Sequence, residues 1–170
     1  MAREPWPVEY LQPDPQRDCS FYATAYLARC LGRAETTAQD VMDWREQANR
    51  HEDRYLQQAL SIETRSWWDD KDDDEKRRRW WLGPDGRDWV TSWLDDGWIG
   101  YAAVHRIQPM THAVAVLQAD DTGVVLMDPI YGFITEPWDW FLGIGAGTYG
   151  CHRISSWHRA TTTPPEDPSC

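Results

Sequence analysis

The chain has 170 residues, a formal net charge of −11 and a pI near 4.7, with 41% apolar and 26% charged residues. That length predicts one domain with its own core. The acidity excludes a nucleic-acid or anionic-membrane surface, both of which need clustered Lys and Arg.

No apolar run approaches the roughly 20 residues of a membrane helix, and MAREPWPVEY lacks the apolar stretch of a signal peptide. The expected location is cytoplasmic, with secretion inside a larger chain left open. Cys19, Cys30, Cys151 and Cys170 form no CxxC pair, so neither a thiolate-built zinc site nor any other metal or cofactor is expected. Twelve tryptophans read mainly as core filler, the rest as lining for a groove.

Pro5, Pro7, Pro13 and Pro15 punctuate the start, where Val8, Tyr10 and Gln12 alternate as in an extended arm. Asp18 reads as the N-cap of a helix over Cys19–Leu31. Tyr22, Tyr26 and Cys30 step by four beside Ala23, Leu27 and Leu31. This predicts an inward face with Cys30 in the core, and Gly32 ends the helix. Thr36 or Thr37 caps a second helix with Val41, Trp44 and Ala48 inward, and a short third lies near Tyr55–Leu60.

Residues 66–79, SWWDDKDDDEKRRR, predict a solvated surface excursion. Gly83–Gly86 reads as a turn, and Asp88–Asp96 as a helix with Trp89, Val90, Trp93 and Leu94 inward, stopped by Gly97. The period then changes from helical to extended. Strands are expected at Trp98–Arg106, His112–Ala119 and Val124–Asp128, with a hairpin at Asp120–Gly123 and a turn at Tyr131–Gly132. A short helix at Trp138–Leu142, a glycine-rich loop at Gly143–Gly150 and a last strand at Cys151–Ser156 follow. Residues 1–158 make the domain and 159–170 a disordered tail. Helices before an antiparallel sheet give an α+β layout.

Three positions in this layout carry chemistry. Cys19 stands at a helix start, where the backbone dipoles favour thiolate. His112 opens one strand and Asp128 closes its hairpin partner, so pairing brings both to one end of the sheet. A carboxylate there holds the imidazole tautomer and stabilises imidazolium, leaving the other ring nitrogen for the thiol. The oxyanion of an attacked carbonyl needs the Cys19 N–H and a side-chain amide. Gln12 and Gln16 both qualify, and Gln12 is favoured because seven residues leave room for the chain to fold back. His105, His152 and His158 do not open a strand paired to one ending in Asp, and His51 falls in a charged helix. A metal site from His105, His112 and Asp128 would leave the cysteine helix unexplained.

The segments VEYLQ, DCSFYATAYLARCLG, WVTSWLDDGWIGYAAVH and THAVAVLQADDTGVVLMDPIYG resemble the bacteriocin-processing (double-glycine leader) cysteine peptidases and their stand-alone relatives. The resemblance implies a papain-like fold with a nucleophile helix packed on the sheet that carries the base. It also implies Cys19 as nucleophile, His112 as base, Asp128 as orienter and Gln12 as oxyanion donor, acting on a peptide or protein substrate. Ser20, Phe21, Thr111 and Tyr131 are the expected substrate contacts. Ser20-Phe21 replaces the family's usual Gly-Pro, and the transporter segments that accompany many leader peptidases are not among these residues. The same residues serve an acyl transferase or cyclase maturing a peptide, or a papain-fold toxin or effector domain. A catalytically inactive peptide-binding module would instead use the tryptophan-rich groove.

Overall fold

A computed structural model describes residues 18–66, 86–107, 110–143 and 150–160. α1 runs Cys19–Cys30 and α2 Ala38–Ala48. A 3-10 turn at Glu52–Arg54 leads into α3, Tyr55–Gln58, and then β1, Glu63–Ser66. α4 is Gly86–Asp95, β2 Ile99–Ile107, β3 Met110–Ala119 and β4 Gly123–Asp128. β5, Gly132–Pro137, is followed by α5, Trp138–Phe141, and by β6, Gly150–Arg159.

α1 ends as its glycine dictates. Gly32 has φ +87°, the Arg33 N–H reaches the Ala28 carbonyl at 2.9 Å, and the Gly32 N–H reaches that of Arg29 at 3.1 Å. This pair of bonds satisfies two orphan carbonyls and favours a residue without Cβ. At the other end Asp18 caps through its carbonyl, which accepts from Phe21 and Tyr22, while its carboxylate makes no capping bond. α2 has the full reciprocal cap. Thr37 Oγ1 accepts from the Asp40 N–H at 3.2 Å, and Asp40 Oδ2 accepts from the Thr37 N–H at 2.8 Å.

The buried face of α1 is rotated from the expected one. Ala23 and Leu27 face inward as expected, joined by Phe21, Thr24, Ala25 and Ala28. Tyr22 and Tyr26 lie half-buried at the margin, and Cys30 is exposed instead of core. Small residues lie where the sheet approaches closely, and the tyrosines reach around its rim. Tyr26 meets Phe133 of β5 edge-on at 5.8 Å.

The six strands form one antiparallel sheet in the order β1-β6-β2-β3-β4-β5. Alternation gives it two apolar faces. Ala113, Ala115 and Leu117 of β3 join the core under α1, α2 and α3, whereas Val114 and Val116 join the core on the opposite face with α4 and α5. Trp157 is wholly buried in the second core, with Trp93 stacked on it at 5.4 Å. This is the filler role expected for the tryptophans.

Several boundaries differ from the sequence reading. Ser66 closes β1 opposite Ser156 and is buried, so it belongs to the sheet and not to the charged excursion. β5 is an edge strand whose exposed Thr135 and Pro137 and half-buried Glu136 show no apolar alternation, which hid it. β6 continues to Arg159, which forks onto Glu63 with Nε and NH2 bonds of 3.1 and 3.0 Å, so position 159 is sheet and not tail. His112 is the third residue of β3, not its first. The arm at 2–17, the rest of the excursion, the turn before Gly86, and the tail from 161 lie outside the described residues. No helix among the described residues is long and apolar enough to cross a membrane.

Gly123, opposite Pro137 where β4 meets β5, has no room for a side chain. A Cβ there would collide with the Glu136 carbonyl oxygen and lie 2.9 Å from its carbon. Gly123→Ala should therefore cost about 3 kcal/mol, and Gly97→Ala, in open space at φ +82°, about 1 kcal/mol. Thermal unfolding of the two variants checks the order.

Candidate active site

The site is assembled where the N-terminus of α1 meets the end of β3 and β4. Cys19 is the first residue of α1 and is half-buried. His112 and Asp128 have the same strand parity as Val114 and Leu126, and the β3–β4 register, Ala115↔Met127 and Val116↔Leu126, carries them to one end of the sheet. The His112 Nε2–H donates to Asp128 Oδ1 at 2.8 Å. Cys19 lies near enough to the imidazole for each side chain to favour the charged form of the other.

Asp128 has no exposure. An isolated buried carboxylate would be costly as an anion. Here Oδ1 also accepts the Ile130 N–H at 2.8 Å and the Tyr131 N–H at 3.3 Å. Pro129 bends the chain back so that these amides cap the side chain, and the carboxylate is fixed before it meets the imidazole. Tyr131 thus contributes its backbone at the site, while its side chain is 57% exposed.

The charges follow from this geometry. For His112, burial works against the imidazolium. The Asp128 hydrogen bond, the Cys19 hydrogen bond and the two negative charges outweigh it and raise the pKa to about 9. For Cys19, burial again opposes the ion. The His112 bond, the Ala113 amide, the imidazolium charge and the Ser20 amide lower the thiol below its ordinary value. Raising one partner and lowering the other favours the thiolate–imidazolium pair over the neutral pair.

The expected substrate contacts take different positions. Ser20 is half-buried, and Phe21 is buried with its ring 5.4 Å from the Arg45 guanidinium. Thr111 is a β3 backbone position opposite His105. Gln12 and Gln16 lie outside the described residues. Among the competing histidines, His158 is wholly buried between the Thr64 and Ser156 hydroxyls at 2.9 and 2.8 Å. His51 is not helical. It follows the end of α2 and lies 3.8 Å from Glu52 Oε2. No cluster of three or more His, Cys, Asp or Glu among the described residues could hold a metal.

Two features had no signal in the sequence. The Ala113 N–H donates to Cys19 Sγ at 3.4 Å, and a backbone donor leaves no trace in residue identity. Beside α1 an open cleft of about 740 Å³ is lined by Asp18, Phe21, Met42, Arg45, Asn49 and Arg50, so α2 supplies a wall that strand and helix patterns alone do not orient.

No family model matches the chain, and no curated protein matches it. Among solved structures it is similar to the peptidase domain of Streptococcus ComA, a bifunctional ABC transporter involved in a quorum-sensing pathway. The TM-score is 0.61 at 14% identity, over 89% of this chain and 96% of that one. At that identity the likeness speaks for the fold, which is α+β and papain-like, as the resemblance in the sequence implied.

Asp128→Asn removes the largest upward pull on His112. The imidazolium pKa should fall from about 9 by about two pH units toward its ordinary 6.5. NMR titration of the His112 ring in wild type and variant reads the difference.

Proposed function

We propose that this chain is a cysteine peptidase or amidase that cleaves a peptide or protein substrate through a thioester on Cys19. The observation that carries the reading is the continuous link from Cys19 through His112 to the buried Asp128. Nucleophile, base and orienter come to one end of the sheet, with Asp18 and Phe21 beside Cys19 lining a cleft, which suits acyl transfer. The fold it shares with a peptidase domain supports the same reading.

The reaction follows from the charge state. The Cys19 thiolate attacks the scissile carbonyl, and the developing oxyanion is held by the Cys19 N–H and the Gln12 amide, with Gln16 as the alternative donor. His112, already protonated, gives its proton to the leaving amine. Water then resolves the thioester, with His112 as base. An amine in place of water would make the same site an acyl transferase or cyclase. Phe21 and the α2 wall of the cleft flank the approach to Cys19, with Ser20, Thr111 and Tyr131 as further contacts. No metal or organic cofactor enters the scheme.

The test is the appearance of new peptide N-termini in a mixed peptide library incubated with the chain, read by mass spectrometry. Cys19→Ala and His112→Ala should each reduce cleavage at least about a thousandfold. Cleavage surviving in Cys19→Ala overturns the proposal. So does the absence of cleavage when Cys19 labels no faster with iodoacetamide than Cys30; the chain is then a binding module on this fold.

The pH profile has a fixed sign. Activity should rise as Cys19 ionises, below the ordinary thiol pKa, and fall as His112 loses its proton near pH 9, because the leaving amine then has no acid. Cleavage rate against pH should give this bell.

A further inference from the structure

Ala113 follows His112 on β3, and its N–H reaches Cys19 Sγ at 3.4 Å, within the range of a hydrogen bond to sulfur. Inside an antiparallel sheet such an N–H ordinarily goes to a neighbouring strand. The register makes it available here. β2 pairs with β3 along its length to Met110, with Ala103 opposite Ala113, but β4 pairs only from Ala115 onward. Where that ladder stops, the start of α1 packs on β3 and Cys19 accepts the amide.

We propose that the Ala113 N–H forms a donor hole for the Cys19 thiolate, and that the hole chiefly speeds release of sulfur from the acyl-enzyme. The second clause rests on the peptidase reading above. In acylation a sulfur lone pair forms the C–S bond and the carbonyl π pair moves to oxygen. Collapse breaks the C–N bond, and the amine leaves with the proton from His112. The thioester sulfur is neutral and a weak acceptor, so the amide loses most of its partner. In deacylation water gives a proton to His112 and its oxygen bonds to the thioester carbon. Collapse breaks the C–S bond and returns the electron pair to sulfur. The leaving thiolate regains a charge-assisted hydrogen bond, which is roughly twice as strong as a neutral one. The hole therefore stabilises the developing thiolate in the second step, at some loss of nucleophilicity in the first. It also holds the resting thiolate beside the imidazolium.

The experiment replaces Ala113 by lactic acid through nonsense suppression. This turns the N–H into an ester oxygen and leaves the side chain unchanged. The full chain is acetylated with 4-nitrophenyl acetate, and loss of the acetyl group from Cys19 is followed by mass spectrometry. Acetyl on the exposed Cys30 serves as the internal comparison. The expected result is an acetyl-Cys19 lifetime about tenfold longer than in the unmodified chain, and an acid limb of Cys19 alkylation shifted upward by about one pH unit. Lifetime on Cys30 should not change. An unchanged lifetime on Cys19 overturns the proposal.

If the ester chain does not fold, the unmodified chain still decides. The Ala113 amide proton must shift at the pH where Cys19 ionises and lose that step in Cys19→Ser. An amide silent through that pH overturns the hole. None of these readouts needs a peptide substrate. Failure to cleave the library, with the acetyl and NMR results as expected, would remove the peptidase assignment and leave the thiolate hole standing.

Discussion

A carboxylate with no solvent around it governs this site. Asp128 is wholly buried, and one of its oxygens meets an imidazole N–H and two backbone N–H groups. These donors suit a carboxylate far better than a neutral acid, so the negative charge stays and attracts a proton to His112. The imidazolium in turn favours the thiolate on Cys19. Each ion is a condition for the next, and the chain of dependence starts at the turn after β4. The turn matters as much as the carboxylate, because without the Ile130 and Tyr131 amides Asp128 would bury a charge with too few partners.

The fold brings together three pieces of backbone that are far apart in sequence. α1 contributes the sulfur at its positive end, β3 the imidazole and a backbone amide, and β4 the carboxylate. The two cores on either face of the sheet keep these pieces in register. In the core on the α1 side, α1 and β3 contribute Ala23, Ala25, Ala28, Ala113 and Ala115, so α1 lies close against β3. That closeness lets Sγ reach an amide within the sheet. Among the described residues the tryptophans are concentrated on the other face, where Trp89, Trp93, Trp98 and Trp157 fill the space under α4. Bulk lies where it only has to exclude water, and small side chains lie where distances decide chemistry.

The elements readable from sequence were those with a strong local period or stop. Gly32 and Gly97 both end helices with positive φ, and the Asp120–Gly123 turn joins β3 to β4 as its residue types require. β1 and β5 were missed because edge strands of four and six residues with mixed polarity are held by backbone pairing, which does not depend on side-chain alternation. The inward face of α1 was half right for a related reason. Tyrosine can pack at a margin with its hydroxyl near water, so hydrophobic spacing alone could not choose between the Tyr22–Tyr26–Cys30 row and the Phe21–Thr24–Ala28 surface.

By itself the sequence determined which residues could form the chemistry, because a cysteine at a helix start and a histidine and an aspartate at the matched end of a hairpin are fixed by local pattern and pairing parity. It also determined the α+β order and the papain-like resemblance. The tertiary structure decided how those residues act on one another. It brought α1 to the end of β3, stopped the β4 ladder at Ala115, and so left the Ala113 amide for the sulfur. It also set the burial that makes Asp128 govern His112. Proximity, desolvation and the fate of a backbone N–H depend on how distant segments meet in three dimensions, and no local stretch of the chain contains that information.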